Sequence, residues 1–140
     1  MKKLTLLVAL VLVFAGCGDD ATSATTTTVE VSDPFGVTAR AQDFEFIPTS
    51  WTVPSGALLV VDFENQGTVE HTFVVIKDRI VIESLADLDD SLIFRELEAG
   101  PGETTSDTFQ APEVPGSYQV ICTVPGHLEL GMTAELIVEN

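Results

Sequence analysis

The chain has 140 residues, 22 acidic and 6 basic, for a formal charge of −16; that leaves room for one ordinary domain and excludes the basic footprint of a nucleic-acid-binding protein. Such a field attracts cationic partners and repels anionic lipid headgroups, more weakly as salt rises, while its plainer reading is solubility. Two cysteines allow at most one bridge, and a folded part of about 100 residues buries enough surface to need none.

Met1, Lys2 and Lys3 precede an apolar-rich run from Leu4 to Phe14, followed by Ala15, Gly16 and Cys17. A basic start, a short apolar centre and small residues at the cut have the form of a secretory signal over 1–16. The run is too short for a spanning helix, which needs about 20 apolar residues. Its removal would take both lysines and leave 22 acids against 4 bases, a net −18. Phe14-Ala15-Gly16-Cys17 resembles the bacterial lipobox, with Phe14 in place of the usual leucine. The resemblance implies a diacylated Cys17 at the new N-terminus; the alternative is ordinary cleavage and a free thiol. Stable anchoring takes about two acyl chains, so the expected location is the outer face of the cell membrane, or the periplasm, as a lipoprotein. From Gly18 to Ser32 the chain holds Asp19, Asp20, Thr22, Ser23 and the run Thr25–Thr28, with almost nothing apolar to bury. Residues 17–32 therefore read as a lipidated cysteine and flexible linker, with a linker reach of about 50 Å when extended.

Residues 33–140 read as one all-β domain. Val37, Ala39 and Ala41 alternate with Thr38, Arg40 and Gln42, the two-residue period of a half-buried strand. The phase changes at Asp43, where Phe44 and Phe46 become the apolar set, and this predicts a bulge or bend. Pro54-Ser55-Gly56 marks a turn before the strand-like run Ala57–Phe63, and Asn65-Gln66-Gly67 a second before His71–Ile76. Glu83–Ala99 breaks the pattern: Leu85, Leu88 and Leu92 have helical spacing, and Glu83, Asp87, Asp89, Asp90, Glu96 and Glu98 stand against Arg95 alone. The expectation is a short helix or an irregular insertion, and its acids read as a solvated face in preference to a docking patch. Pro115-Gly116 leads into Ser117–Cys122, with Tyr118, Val120 and Cys122 on one face, and Thr133–Glu139 closes the chain with Ala134, Leu136 and Val138 on one side. Many short strands divided by Pro and Gly predict a β-sandwich.

The strongest signal runs from Cys122 to Met132, CTVPGHLELGM, a C-x4-H-x4-M spacing directly after a predicted strand. Thiolate, imidazole and thioether on one short loop suit copper in both oxidation states. Pro125 stiffens the loop, and Gly126 and Gly131 let it bend around a small ion. The chain has two histidines, so any further imidazole must be His71, which a sandwich could bring against the C-terminal loop. Each residue alone reads more readily as packing. Their rarity and joint spacing make His71, Cys122, His127 and Met132 a metal site.

Residues 42–140 resemble the cupredoxins, the type 1 blue copper proteins, with the loop spacing of the auracyanin and rusticyanin branches. The resemblance rests on this loop, on Phe44-Glu45-Phe46-Ile47-Pro48, on Glu70-His71-Thr72-Phe73 and on Pro115-Gly116-Ser117-Tyr118. It implies a Greek-key sandwich and one copper ion held by His71, Cys122 and His127, with Met132 as a weak axial ligand. It also implies an electron port at His127, for which Pro125, Leu128 and Leu130 are the candidate lining and docking patch, with Glu129 among them. Thr72 stands where many relatives have asparagine, and its shorter side chain is expected to tie the ligand loops more weakly. Ile121 precedes the cysteine where some relatives have tyrosine, so no second port is expected there.

The function these features imply is one-electron transfer between redox proteins with cationic docking surfaces. A copper carrier or buffer that hands over metal without redox cycling is the alternative, and zinc also accepts His and Cys ligands. Copper oxidases and nitrite reductases need additional histidines, so no enzymatic activity is expected.

Overall fold

The computed structural model describes residues 33–140; the expected signal, the lipidated Cys17 and the linker lie outside the described residues. The strands are β1 (Phe35–Gln42), β2 (Glu45–Ile47), β3 (Ser50–Pro54), β4 (Leu58–Asn65), β5 (His71–Ile76), β6 (Ile93–Ala99), β7 (Thr104–Gln110), β8 (Gly116–Ile121) and β9 (Thr133–Glu139). They form two sheets, ordered β2-β1-β4-β7 and β3-β9-β8-β5-β6. Each sheet contains one parallel pair, β1 with β4 and β3 with β9. The expected β-sandwich is the fold found.

Alternation explains the packing of the two sheets. β4 buries Leu59, Val61 and Phe63, β1 buries Val37, Ala39 and Ala41, and these join Phe73, Val75, Tyr118, Val120, Leu136 and Val138 of the other sheet in one core. At its centre Phe46, Trp51, Phe63 and Phe73 pack with ring centroids 5.3 to 6.5 Å apart, within the range where aromatic pairs attract beyond their buried area. Trp51 Nε1 donates to the Thr38 carbonyl at 3.0 Å, a bond from β3 to β1 that joins the sheets. The Tyr118 hydroxyl donates to the Val114 carbonyl at 2.6 Å and fixes the approach to β8.

β5 is buried on both faces. Phe73 and Val75 face the sandwich, whereas Val74 and Ile76 join Ile82, Ile121 and Leu128 in a second cluster. Leu85, Leu88, Leu92 and Ile93 pack against that cluster, and Gln119 fastens the segment by accepting from Ile82 N at 2.7 Å and donating to Ile82 O at 3.0 Å.

Two expectations need correction. The bulge or bend expected at Asp43 is a full chain reversal: Gln42 pairs with Glu45, so Asp43 and Phe44 form a two-residue hairpin turn, with Phe46 buried and Phe44 on the surface. Glu83–Ala99 is neither helix nor wholly irregular, because its second half is β6, paired with β5 from His71↔Ala99 to Ile76↔Ile93. Its first half makes only two single 3-10 turns, Leu85–Asp87 and Asp90–Leu92, where the Ser84 and Asp89 side chains accept from Ala86 N and Ser91 N and draw the backbone into local turns. The edge strand β7, Thr104–Gln110, buries Phe109 alone and so offers no alternation to read.

Because Phe73 touches Phe46, Trp51 and Phe63, Phe73→Ala should destabilise the protein by about 3–5 kcal/mol. Urea unfolding followed by the fluorescence of Trp51, the one tryptophan, measures this.

Candidate metal centre

Two loops at one end of the sandwich carry the sequence-predicted ligands. β5 pairs β8 through Val74↔Ile121 and Val75↔Val120, and continuing that register sets Thr72 opposite Thr123 and His71 close beyond Cys122. The loop from Cys122 to Met132 is closed by its own backbone: Met132 N–H donates to His127 O at 2.9 Å and Cys122 N–H to Met132 O at 3.3 Å. Those two bonds chain the three loop ligands together. Gly126 and Gly131 sit at φ 87° and 94°, a region other residues enter only with strain, and this permits the turns closed by His127 N–H to Val124 O at 3.0 Å and Leu130 N–H to Gly126 O at 3.1 Å.

The result is a compact donor set. The Cys122 sulfur lies 3.4 Å from His127 Nδ1 and 3.8 Å from His71 Nδ1. The three ligand atoms all fall within 4.8 Å of one another, and each residue is buried. Bonds of roughly 2.0–2.3 Å to nitrogen and sulfur, met at trigonal angles, place donor atoms about 3.7 Å apart. The spacing therefore fits a single ion, and the sulfur–nitrogen set fits a soft-to-borderline one. Met132 is fully buried in the main core cluster beside Cys122.

Polar contacts around the donors come from both loops. Thr72 N–H points at the Cys122 sulfur at 3.5 Å, and Thr72 Oγ1 accepts from Thr123 N–H at 2.7 Å while meeting the Thr123 hydroxyl at 3.0 Å. Asn65 shapes the turn before β5: its side-chain nitrogen donates to Val69 O at 2.7 Å and Ala99 O at 2.8 Å, and its oxygen accepts from Gly67 N–H at 2.9 Å. Burial, and then the neighbouring His127, hold the His71 pKa below its usual value, with Asp43 opposing. The ring is accordingly neutral at pH 7 and able to bind a metal.

A family model described as "Copper binding proteins, plastocyanin/azurin family" matches residues 35–139. The chain belongs to that family. Auracyanin-A of Chloroflexus aurantiacus is 29% identical over 99% of this chain and 96% of its own length. Auracyanin-B of the same organism is 29% identical over 73% of this chain and 50% of its own length. A solved auracyanin structure from Roseiflexus castenholzii superposes with a TM-score of 0.65 at 25% identity, over 78% of this chain and 100% of that one. Rusticyanin from Thiobacillus ferrooxidans, at TM-score 0.57 and 20% identity over 76% of this chain and 79% of its own, shares the fold.

In this copper-binding protein His71, Cys122, His127 and Met132 form the pattern of a type 1 site. Thr72 does more than its length suggested, since its hydroxyl bridges the ligand loops directly through Thr123; the strands bring the loops close enough for a short side chain to span them. The residues expected around the port divide. Pro125 is exposed and Leu130 is 64% exposed, but Leu128 is only 7% exposed and packs with Val74, Ile76, Ile82 and Ile121, so it is loop packing and not a docking residue. In its place stands Phe44, which sequence reasoning put in the core. Its ring meets His127 edge to face at a centroid distance of 5.2 Å and stays 44% exposed, while His127 is 6% exposed. Phe44 also has φ 69°, a left-handed conformation costly for an aromatic residue. A large apolar residue in a two-residue hairpin turn was the one signal that could have marked it.

Thr72→Val would leave the Thr123 N–H without its acceptor and strip a polar contact from the cysteine. Stability of the metal-free protein should fall by about 1–3 kcal/mol, and copper affinity by roughly 10- to 100-fold. Chemical denaturation and competition with a chelator measure the two effects separately.

Proposed function

We propose that the protein is a one-electron carrier, held at the outer face of the cell membrane by acylated Cys17, that cycles a single copper ion between two redox partners with cationic docking surfaces. The observation that carries this reading is the buried Cys122, His71 and His127 set, already at the spacing of one ion, with the loop ligands locked by backbone bonds and His71 by its place in β5. Copper in such a site supplies one electron at a time, in a geometry acceptable to both of its oxidation states. The chain's own residues hold the donors still and keep water from them, so little has to rearrange when charge changes.

His127 is the ligand next to the surface, behind Phe44 and between the exposed Pro125 and Leu130. A small, briefly formed contact there, below about 1,200 Å² in total, suits electron transfer. Support for cationic partners comes from Glu83, Asp87, Asp89, Asp90, Glu96 and Glu98, all exposed and none in an ion pair among the described residues. The first half of their segment packs through its leucines on the cluster that holds Leu128.

Copper(II) added to the protein should bind at one equivalent and give an intense visible band that Cys122→Ala abolishes, since the band arises from the thiolate–copper bond. A copper-loaded protein with no such band overturns the reading. Rapid loss of copper(II) to a mild chelator, with no reversible one-electron couple by voltammetry, would favour the metal-delivery alternative. For the tether, Cys17→Ser should move the protein from the membrane fraction to the soluble fraction of cells expressing the full chain, and unchanged fractionation excludes the acyl anchor.

A further inference from the structure

The imidazole of His71 is fully buried and presents Nδ1 to the cysteine sulfur at 3.8 Å, so a metal taken by that nitrogen leaves the ring proton on Nε2. Nε2 has no hydrogen-bond partner. A carboxylate oxygen of Asp43 faces it at 3.7 Å, longer than a hydrogen bond but close for a charge beside a buried N–H.

Asp43 is not there by free rotation. It is the first residue of the β1–β2 turn, and its two oxygens are held by Thr68, one by the backbone N–H at 3.0 Å and the other by the hydroxyl at 3.1 Å. The same bonds lower its pKa, so it is ionised at neutral pH. Gly67 supplies an independent observation: a Cβ at that position would lie 2.7 Å from the Asp43 oxygen and 2.7 Å from His71 Nε2. Its φ is not in the left-handed region, so the backbone there does not require glycine, but the gap between carboxylate and imidazole does.

The geometry points to Asp43 as a positioning residue of the copper site, whose carboxylate partners the His71 Nε2–H, fixes the ring's orientation and lowers the copper reduction potential. A carboxylate behind a ligating histidine raises the basicity of the ring. Copper(II), with one more positive charge than copper(I), gains more from that basicity and from the nearby negative charge. Removing the charge therefore raises the potential. Asp43 is also 44% exposed, so solvent screens part of the effect.

This inference rests on the copper reading above, and its test separates the two. The full chain is loaded with copper, and its visible band and reduction potential are compared with those of Asp43→Asn, which keeps the shape of the side chain and an oxygen for Thr68 N–H. The expected result is an intact band with about a tenfold rise in the ratio of copper(I) to copper(II) affinity, about 59 mV upward for one electron. In the copper(I) form, nitrogen-15 resonances of labelled histidine should show Nε2 of His71 shifted and that of His127 unmoved. An intact band with the ratio changed less than about twofold overturns the role of Asp43 and leaves the copper reading standing. A native chain with no band overturns both. Should Asp43→Asn fail to fold, Gly67→Ala decides the matter, because its methyl group wedges between carboxylate and ring while every charge is kept: a potential displaced upward supports the assignment, and an unchanged one overturns it.

Discussion

Placing a thiol and two imidazoles within 4.8 Å of one another in a buried site works against folding, because a buried polar atom without a partner costs about 1–3 kcal/mol. That cost is visible at His71 Nε2, which makes no hydrogen bond and faces the Asp43 carboxylate at 3.7 Å. A donor set of this kind holds together without its ion only if the surrounding structure fixes it from outside. The site depends on that constraint, and much of the sandwich end can be understood as its answer. The loop ligands are chained through backbone bonds from Cys122 to Met132 to His127. His71 is fixed separately, by its place in β5 and by the Asn65 side chain bonding at Gly67, Val69 and Ala99. Thr72 then joins the two halves by bonding Thr123 and facing the sulfur.

The second hydrophobic cluster gives that end its depth. A sheet with one solvated face would leave Val74, Ile76 and Ile121 against water, and the loop residue Leu128 would have nothing to pack on. The segment from Ile82 to Leu92 covers that face with Ile82 and three leucines while turning its carboxylates outward. Its helical spacing in the sequence is therefore a record of which residues point inward, achieved with two single turns in place of a helix. The acids are exposed because the leucines are buried.

The features legible in the sequence were those with a periodic or compositional trace. β1, β4, β5, β8 and β9 alternate or run apolar, and the C-x4-H-x4-M loop follows a strand; scarcity of histidine and methionine left His71 as the remaining imidazole. What was hidden depends on contacts across the sandwich. β6 and β7 are held by pairing with β5 and β4, and β7, with Phe109 as its buried residue, carries no pattern of its own. Leu128 and Phe44 exchanged roles because alternation and loop position do not say which way a side chain turns: Phe44 looked like core and covers a ligand, while Leu128 looked like surface and is buried. Asp43, Asn65 and Gly67 gave only the general signal of turn residues. Their roles follow from three-dimensional distances.

The acidity of the chain acts on two length scales, and distance separates them. At physiological salt the Debye length is about 8 Å, so exposed carboxylates lying beyond it contribute little to the energy of a buried ion. Their effect is on encounter, where a summed negative surface raises the rate at which a cationic partner arrives. Asp43 belongs to the other class: at 3.7 Å from His71 Nε2 it is well inside the screening length and next to a buried ring whose Nδ1 lies 3.8 Å from the cysteine sulfur. Added salt should therefore weaken docking while leaving the contribution of Asp43 to the site largely intact. The same residue type thus stands in two settings, exposed to bulk solvent along 83–98 and beside a buried imidazole in the β1–β2 turn, and the proposed docking and redox roles differ for that reason.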